Sequence, residues 1–179
     1  MKDFLNLRGR LQLFTNVDGN RICLYDSPNQ IQYIGARQIA RGLIGEVYMP
    51  KISRIVASHL DPTVSRSKAN PITPGFVLND TPERVDNADS YFPVSASTST
   101  LVINISENSS ENPSIVSEGT LSRHTDFEEN YSLRYFQFGL ILSDNNNYDY
   151  ILAYKFIPGG VGWGITNGLD CIWTIFLGA

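Results

Sequence analysis

The C-terminal third of this chain contains three apolar runs joined by turns rich in glycine and asparagine. They span Leu133–Leu142, Tyr150–Ile157 and Cys171–Leu177. A strand with one face in a core and one in water alternates apolar with polar residues, because successive side chains point to opposite faces. These runs are apolar on both parities. We therefore expect strands covered on both sides, by a second layer of the same domain or by another subunit.

The alternation within each run also predicts which residues share a face. In the second run, one parity predicts a common face for Tyr150, Leu152, Tyr154 and Phe156. In the last run, Trp173 lies mid-strand and is expected to anchor the core. The residues predicted to form the core or an assembly surface are Phe138, Leu140, Leu142, Leu152, Tyr154, Phe156, Trp173 and Ile175.

Composition favours a protein that makes permanent protein contacts. The 179 residues suit a single domain, and the charged fraction of 18% is below the roughly 25% of an average globular domain. The net charge of −4 provides no basic stripe, so we expect no nucleic-acid partner. Cys23 and Cys171 match no metal spacing, and whether they pair is left open. We expect no metal and no cofactor.

The chain shows no targeting signal. No segment reaches the roughly 20 apolar residues that span a bilayer. The first residues, Met1–Asn6, lack the apolar core of a signal peptide. We therefore expect no membrane partner and a protein that is made and kept in a cytoplasm unless another route releases it.

The N-terminal half predicts a hairpin, a helix and a strand. Leu11–Thr15 and Arg21–Tyr25 flank an Asp-Gly pair, which favours a hairpin turn. Helical spacing over Gln32–Ile44 predicts the one substantial helix, ended by Gly45. Lys51–Ala57 is typical of a strand. The predicted apolar face of the helix consists of Ile34, Ile39, Ala40, Leu43 and Ile44, with Arg37 and Arg41 opposite.

A long polar segment separates this half from the remaining strands. Residues 59–93 are rich in Pro, Asn, Asp and Ser without a sustained period, which predicts an extended arm that reaches a neighbour. Thr98–Ile105 alternates as a strand, and Ser114–Leu121 is its predicted antiparallel partner. Many short strands with one helix predict a single mainly antiparallel β-sandwich domain.

Candidate catalytic groups are few. His59 and His124 each lie near Ser and Asp, but adjacency in sequence does not give the geometry of a triad. Glu128 and Glu129 point apart on an extended chain, so they cannot act together as the carboxyl pair of a glycosidase. Solvated loops explain these residues better, and we expect no enzymatic activity.

Two further segments suggest ligands. Asp144–Asp149 has oxygen ligands at spacings like those of a calcium loop, but lacks the glycine and closing glutamate of an EF-hand. An Asn-rich hairpin turn is the better interpretation. Gly159–Gly164 lacks the Lys-Ser/Thr and the helix of a phosphate loop, which favours a flexible inter-strand loop. The exposed Trp163 in that loop could stack on a sugar, which makes a lectin-like module the alternative function.

Several short motifs occur in a fixed order along the chain. They are a Gly-Ala-x-x-Ile-Ala-x-x-Leu helix after an N-terminal hairpin (Gly35–Leu43), a Leu-Asn-Asp-Thr segment with a following arginine (Leu78–Thr81 with Arg84), a strand with Gly-Leu (Phe138–Leu142) and a terminal strand with Trp-Thr-Ile (Ile172–Phe176). This order resembles that of small structural proteins of tailed bacteriophages.

The resemblance implies a role in the virion. Proteins of this pattern occur in tail-fibre collars, in baseplate or neck adaptors and in capsid decoration, and they are not enzymes. We therefore expect a non-enzymatic virion component that forms a homo-oligomer and docks onto other particle proteins, assembled in the host cytoplasm. The layer of the particle, the symmetry and the host stay open.

Overall fold

A computed structural model describes residues 7–58, 96–107, 113–123, 134–162 and 168–178. Over these ranges the chain forms one helix and strands that make a single sheet. The helix α1 is Tyr33–Leu43, and the strands are β1 Leu7–Val17, β2 Asn20–Ile31, β3 Lys51–Ser58, β4 Ala96–Thr98, β5 Val102–Ser106, β6 Ser114–Arg123, β7 Arg134–Ser143, β8 Asp149–Gly162 and β9 Leu169–Leu177.

The sheet curls into a nearly closed barrel. Its strand order is β4-β3-β7-β8-β2-β1-β9-β6-β5, and β4 also pairs with β6, which joins the two ends. Each pairing in this part of the chain is antiparallel. The predicted class, mainly antiparallel β with one short helix, is confirmed, and the two layers expected of a sandwich are opposite walls of this sheet.

One apolar cluster fills the interior of the barrel. Trp173 is fully buried there, against residues from the other strands of the ring. Of the residues predicted for the core, the interior cluster contains Phe138, Leu140, Leu142, Leu152, Trp173 and Ile175. Cys171 is also interior, as expected of a small apolar residue, and it is a free thiol.

A β-bulge corrects the predicted faces of β8. Leu140 pairs with Ala153 but Ile141 pairs with Ile151, so Leu152 is the extra residue opposite β7. An extra residue reverses the alternation beyond it, since the side-chain period of a strand is two. Leu152 therefore lies in the interior, whereas Tyr154 and Phe156 belong to a second cluster on the outer face. The prediction that these three share a face was wrong.

The second cluster covers the outer face of β3, β7 and β8. It comprises Val56, Ile141, Ile151 and Tyr154, with Phe156 packed against it. The expectation that β7 and β8 are covered on both faces is thus confirmed, and the burial is achieved within one copy of the chain. A bulge between Ile52 and Arg54 likewise places Ile52 against the interior cluster and Val56 in the outer one, although the two residues lie on one parity of the sequence.

The N-terminal hairpin and the C-terminal end of α1 form as predicted. Asp18 and Gly19 have φ angles of 50° and 81°, which fit the hairpin turn between β1 and β2. Gly45 has a φ of 75° just after the helix. Gly35 lies directly on β8, where an added Cβ would be 2.5 Å from the Cα of Leu152.

The predicted apolar face of α1 was partly wrong. Ile34 is buried, but Leu43 and Ile44 are 61% and 74% exposed. The helix instead buries Gln38, because Gly35 brings one side of it against the backbone of β8. The C-terminal apolar residues of the helix therefore lie in solvent.

Two predicted elements differ in extent. The strand predicted over Thr98–Ile105 is interrupted after Thr98 and is two strands, β4 and β5, which both pair with β6. Gly159–Gly162, predicted as an inter-strand loop, belongs to β8, where Tyr135 pairs with Val161 beyond a bulge. The expectations for the arm at 59–93, for His59, His124, Glu128 and Glu129, and for Trp163 fall outside the described residues.

Candidate functional site

The clearest surface feature is the edge strand β5. It pairs with β6 on one side, and none of the described strands pairs with its other side. Each of its residues is exposed. Val102, Ile103 and Ile105 are 59%, 44% and 68% exposed. Three exposed apolar side chains are thus grouped on one strand of five residues.

The interior face of the barrel continues onto β5. Cross-strand partners point to the same face of a sheet, so the register defines rows of side chains. One row runs from Leu11 through Trp173 and Ser117 to Ile103. The first three are fully buried, whereas Ile103 at the end of the row is 44% exposed. A parallel row ends on Ile105.

Within β5 itself there is no charged residue, no proline and no bulge. Native proteins protect edges with charged side chains, proline, bulges or a covering element. The sequence of β5 is Val-Ile-Asn-Ile-Ser, and its pairing with β6 is regular over all five residues. An uncharged, regular edge with apolar side chains is a surface on which another strand can pair.

A polar pocket of about 190 Å³ lies at the end of α1. Gln38 and Arg41 of the helix, Tyr48 of the following loop, and Asn145 and Asn146 of the β7–β8 turn form much of its wall. The Tyr48 side chain is 77% exposed. An exposed ring beside amide groups combines an apolar face with hydrogen-bonding groups, which suits a small polar ligand.

The turn beside this pocket is held by Asp144. Its Oδ1 accepts hydrogen bonds from the backbone N–H groups of Asn146 and Tyr148, at 2.8 and 2.9 Å. Asn147 has a φ of 58°, as an asparagine in a tight turn tolerates. The prediction of an Asn-rich hairpin turn is confirmed. The Tyr150 hydroxyl donates to Asp144 Oδ2, and burial together with this contact raises the pKa of Tyr150 to about 12.

The electrostatics elsewhere consist of structural ion pairs. Arg54 donates to Asp149 Oδ2 at 2.6 Å, and Ser143 donates to Oδ1 of the same carboxylate at 2.6 Å. Arg10 makes a two-pronged ion pair with Asp26, with both N–O distances 2.6 Å. The hydrogen bond from Arg10 lowers the pKa of Asp26. These charged groups are engaged with one another.

The predicted site residues thus separate into interior and outer groups. Tyr154 donates its hydroxyl to Gln137 at 2.8 Å on the outer face, and burial raises the pKa of Tyr154. Neither the β5 edge nor the Tyr48 pocket was anticipated as a site. The lack of charge from Val102 to Ser106 was the available signal for the edge, whereas the pocket depends on a contact between distant segments.

Comparisons with known proteins add no relative. No family model, no curated protein and no solved structure matches this chain. Within the described ranges, no group of His, Cys, Asp and Glu side chains could hold a metal ion. Among those same residues, no helix has the length and apolar character needed to cross a membrane.

Proposed function

We propose that this protein is a non-enzymatic structural subunit of a tailed-phage virion, which self-associates and docks onto other particle proteins. The uncovered β5 edge is the observation that carries the proposal. There, the interior rows of the barrel end on Ile103 and Ile105 in solvent. Apolar residues in such a position favour a protein partner, because their burial is worth roughly 25 cal/mol per Å².

The remainder of the barrel supports the same function. Its interior is filled by large side chains, so the described sheet encloses a packed core and not a ligand chamber. A second cluster buries apolar side chains on the outer face of β3, β7 and β8. A packed barrel with an exposed apolar edge strand suits repeated assembly, and the phage assignment itself comes from the order of the sequence motifs.

The test is the presence of the chain in particles. Tailed-phage particles whose genome carries this gene are purified by density gradient and analysed by quantitative mass spectrometry. We expect the chain at a fixed ratio to the major capsid protein after salt washing. Recovery only in the soluble fraction of the infected cell, with none in washed particles, would contradict the proposal.

The Tyr48 pocket favours a second candidate, carbohydrate binding. Its ring is exposed beside the amides of Asn145 and Asn146, as for a sugar ring that stacks and hydrogen-bonds. The test is a glycan array with the wild-type chain, with Tyr48→Ala and with Tyr33→Ala. Tyr33 is an exposed tyrosine that is not part of the pocket wall, so it controls for loss of a surface ring. Binding lost only in Tyr48→Ala would favour this candidate.

A further inference from the structure

We infer that β5 pairs with β5 of a second copy of this chain, antiparallel and about a two-fold axis at Asn104. The inference rests on the proposed self-association and names the surface and the register. A two-fold contact is isologous, so the same strand must complement itself. The sequence Val-Ile-Asn-Ile-Ser meets this condition, because it carries no charge that would face its own copy.

The register follows from pairing the whole strand. In an antiparallel pair about a two-fold axis, the numbers of facing residues have a constant sum. Only a centre at Asn104 pairs all five residues, with Val102 facing Ser106 of the second copy and Ile103 facing Ile105. A shift of the centre by one residue leaves two residues of each strand without partners.

This register also covers the exposed apolar rows. Ile103 and Ile105 lie on the interior face of the sheet, in rows with Trp173 and Ile175. In the paired strands each Ile103 contacts the facing Ile105, twice by symmetry. Facing side chains are the unit that stabilises a strand pair, and β-branched residues pack well on a pleated surface. The polar Asn104 lies at the axis on the outer face, where its amide can meet its own copy.

The contact is small compared with most stable interfaces. Specific complexes bury about 1,200–2,000 Å² in total, more than one five-residue strand supplies on its own. We therefore expect a weak, reversible dimer of the free chain. A weak dimer is difficult to detect by measuring its affinity. Disulfide trapping at a chosen position detects it better, because a disulfide forms only where two thiols come close together.

The test is disulfide trapping in a Cys23→Ser background. Cys23 is exposed and is replaced, whereas Cys171 is fully buried and its thiol pKa is raised, so it stays silent. Asn104→Cys places two thiols on the axis, where Cα atoms of facing residues are about 4.5–5.5 Å apart, within reach of a disulfide. Val102→Cys and Ser106→Cys are the matched controls on the same exposed strand.

The expected pattern is specific to the register. Under mild oxidation, Asn104→Cys gives a covalent dimer. Val102→Cys or Ser106→Cys alone gives little covalent dimer. In this register the two copies of either cysteine are four residues apart along the strands, which is about 13 Å. A mixture of the two gives a heterodisulfide dimer. Unfolding midpoints equal to the background show that the variants are folded.

Two results would overturn the inference. Equal dimer yields from all three single variants would mean random collision of an exposed strand. No dimer from folded Asn104→Cys, in a chain that still sediments as an oligomer, would place self-association on another surface and leave the proposed function standing. Presence in washed particles tests that function separately.

Discussion

Replacement of Trp173 by alanine tests the packing of the barrel interior. Trp173 is completely buried, with 0% of its surface accessible to solvent. Its cross-strand partners are Leu11 of β1 and Ser117 of β6. Loss of a fully buried tryptophan costs about 3–5 kcal/mol through lost transfer energy and a residual cavity. The total free energy of unfolding of a native protein is only about 5–15 kcal/mol. We expect Trp173→Ala to be largely unfolded or insoluble.

Trp173→Phe separates packing from hydrogen bonding. The Nε1 of Trp173 is buried and has no hydrogen-bond partner, and an unsatisfied buried donor costs about 1–3 kcal/mol. Phenylalanine removes this donor and keeps an aromatic ring in the core. We therefore expect Trp173→Phe to lower the free energy of unfolding by no more than about 2 kcal/mol, which is less than the loss expected for alanine.

The assay is urea unfolding followed by far-UV circular dichroism, with Tyr48→Ala as the exposed aromatic control. Tyr48→Ala should stay within about 0.5 kcal/mol of wild type. Trp173→Ala within about 1 kcal/mol of wild type would refute the assignment of β9 to the core. Equal losses of unfolding free energy in Trp173→Ala and Trp173→Phe would contradict the reasoning that an aromatic ring without the unpaired N–H keeps most of the stability.

Three further substitutions test particular contacts. Gly35→Ala should lower the free energy of unfolding in urea by about 1–3 kcal/mol, because a Cβ there would lie 2.5 Å from the Cα of Leu152. Wild-type stability would mean that α1 does not lie on β8. Asp149→Ala should cost about 2–3 kcal/mol, since Arg54 is only partly exposed and loses its carboxylate; an unchanged urea midpoint would rule out this ion pair. The lowered pKa of Asp26 means that the carboxylate adds stability above its ordinary pKa of 3.8, and that this is lost as pH falls through the lower folded value. Asp26→Asn should therefore flatten the acid limb of unfolding free energy against pH, and an unchanged limb would contradict the assignment.

Local patterns in the sequence were enough for the fold class and for most elements. The Asp-Gly hairpin, the end of α1 at Gly45 and the turn at Asp144 each depend on a few neighbouring residues with special backbone preferences. The interior position of Trp173 was predicted from its place in the middle of an apolar strand. These features need no knowledge of distant contacts.

The faces of β8 could not be predicted, because bulges arise between strands. The extra residue at Leu152 is defined only against the register of β7, and it moves Tyr154 to the outer face. The buried side of α1 likewise depends on the approach of Gly35 to β8. Alternation and helical spacing within one segment contain no information about either contact.

The strands that are apolar on both faces have a different explanation once the fold is known. Ile141 and Tyr154 of the outer cluster are buried within one copy, so β7 and β8 do not themselves require a second subunit. The surface that favours assembly is instead β5, whose residues were predicted only as part of an ordinary strand. Whether an edge is covered is a property of the whole sheet.

Sedimentation velocity of the purified chain, from micromolar to millimolar concentration, tests the central claim that β5 is an assembly surface. The wild-type chain should show a weight-average sedimentation coefficient that rises with concentration. Ile103→Lys, which places a charge on the edge, should stay at the monomer value with an unchanged circular dichroism spectrum. A wild-type chain that stays monomeric throughout, or an Ile103→Lys variant that associates equally well, would contradict the account.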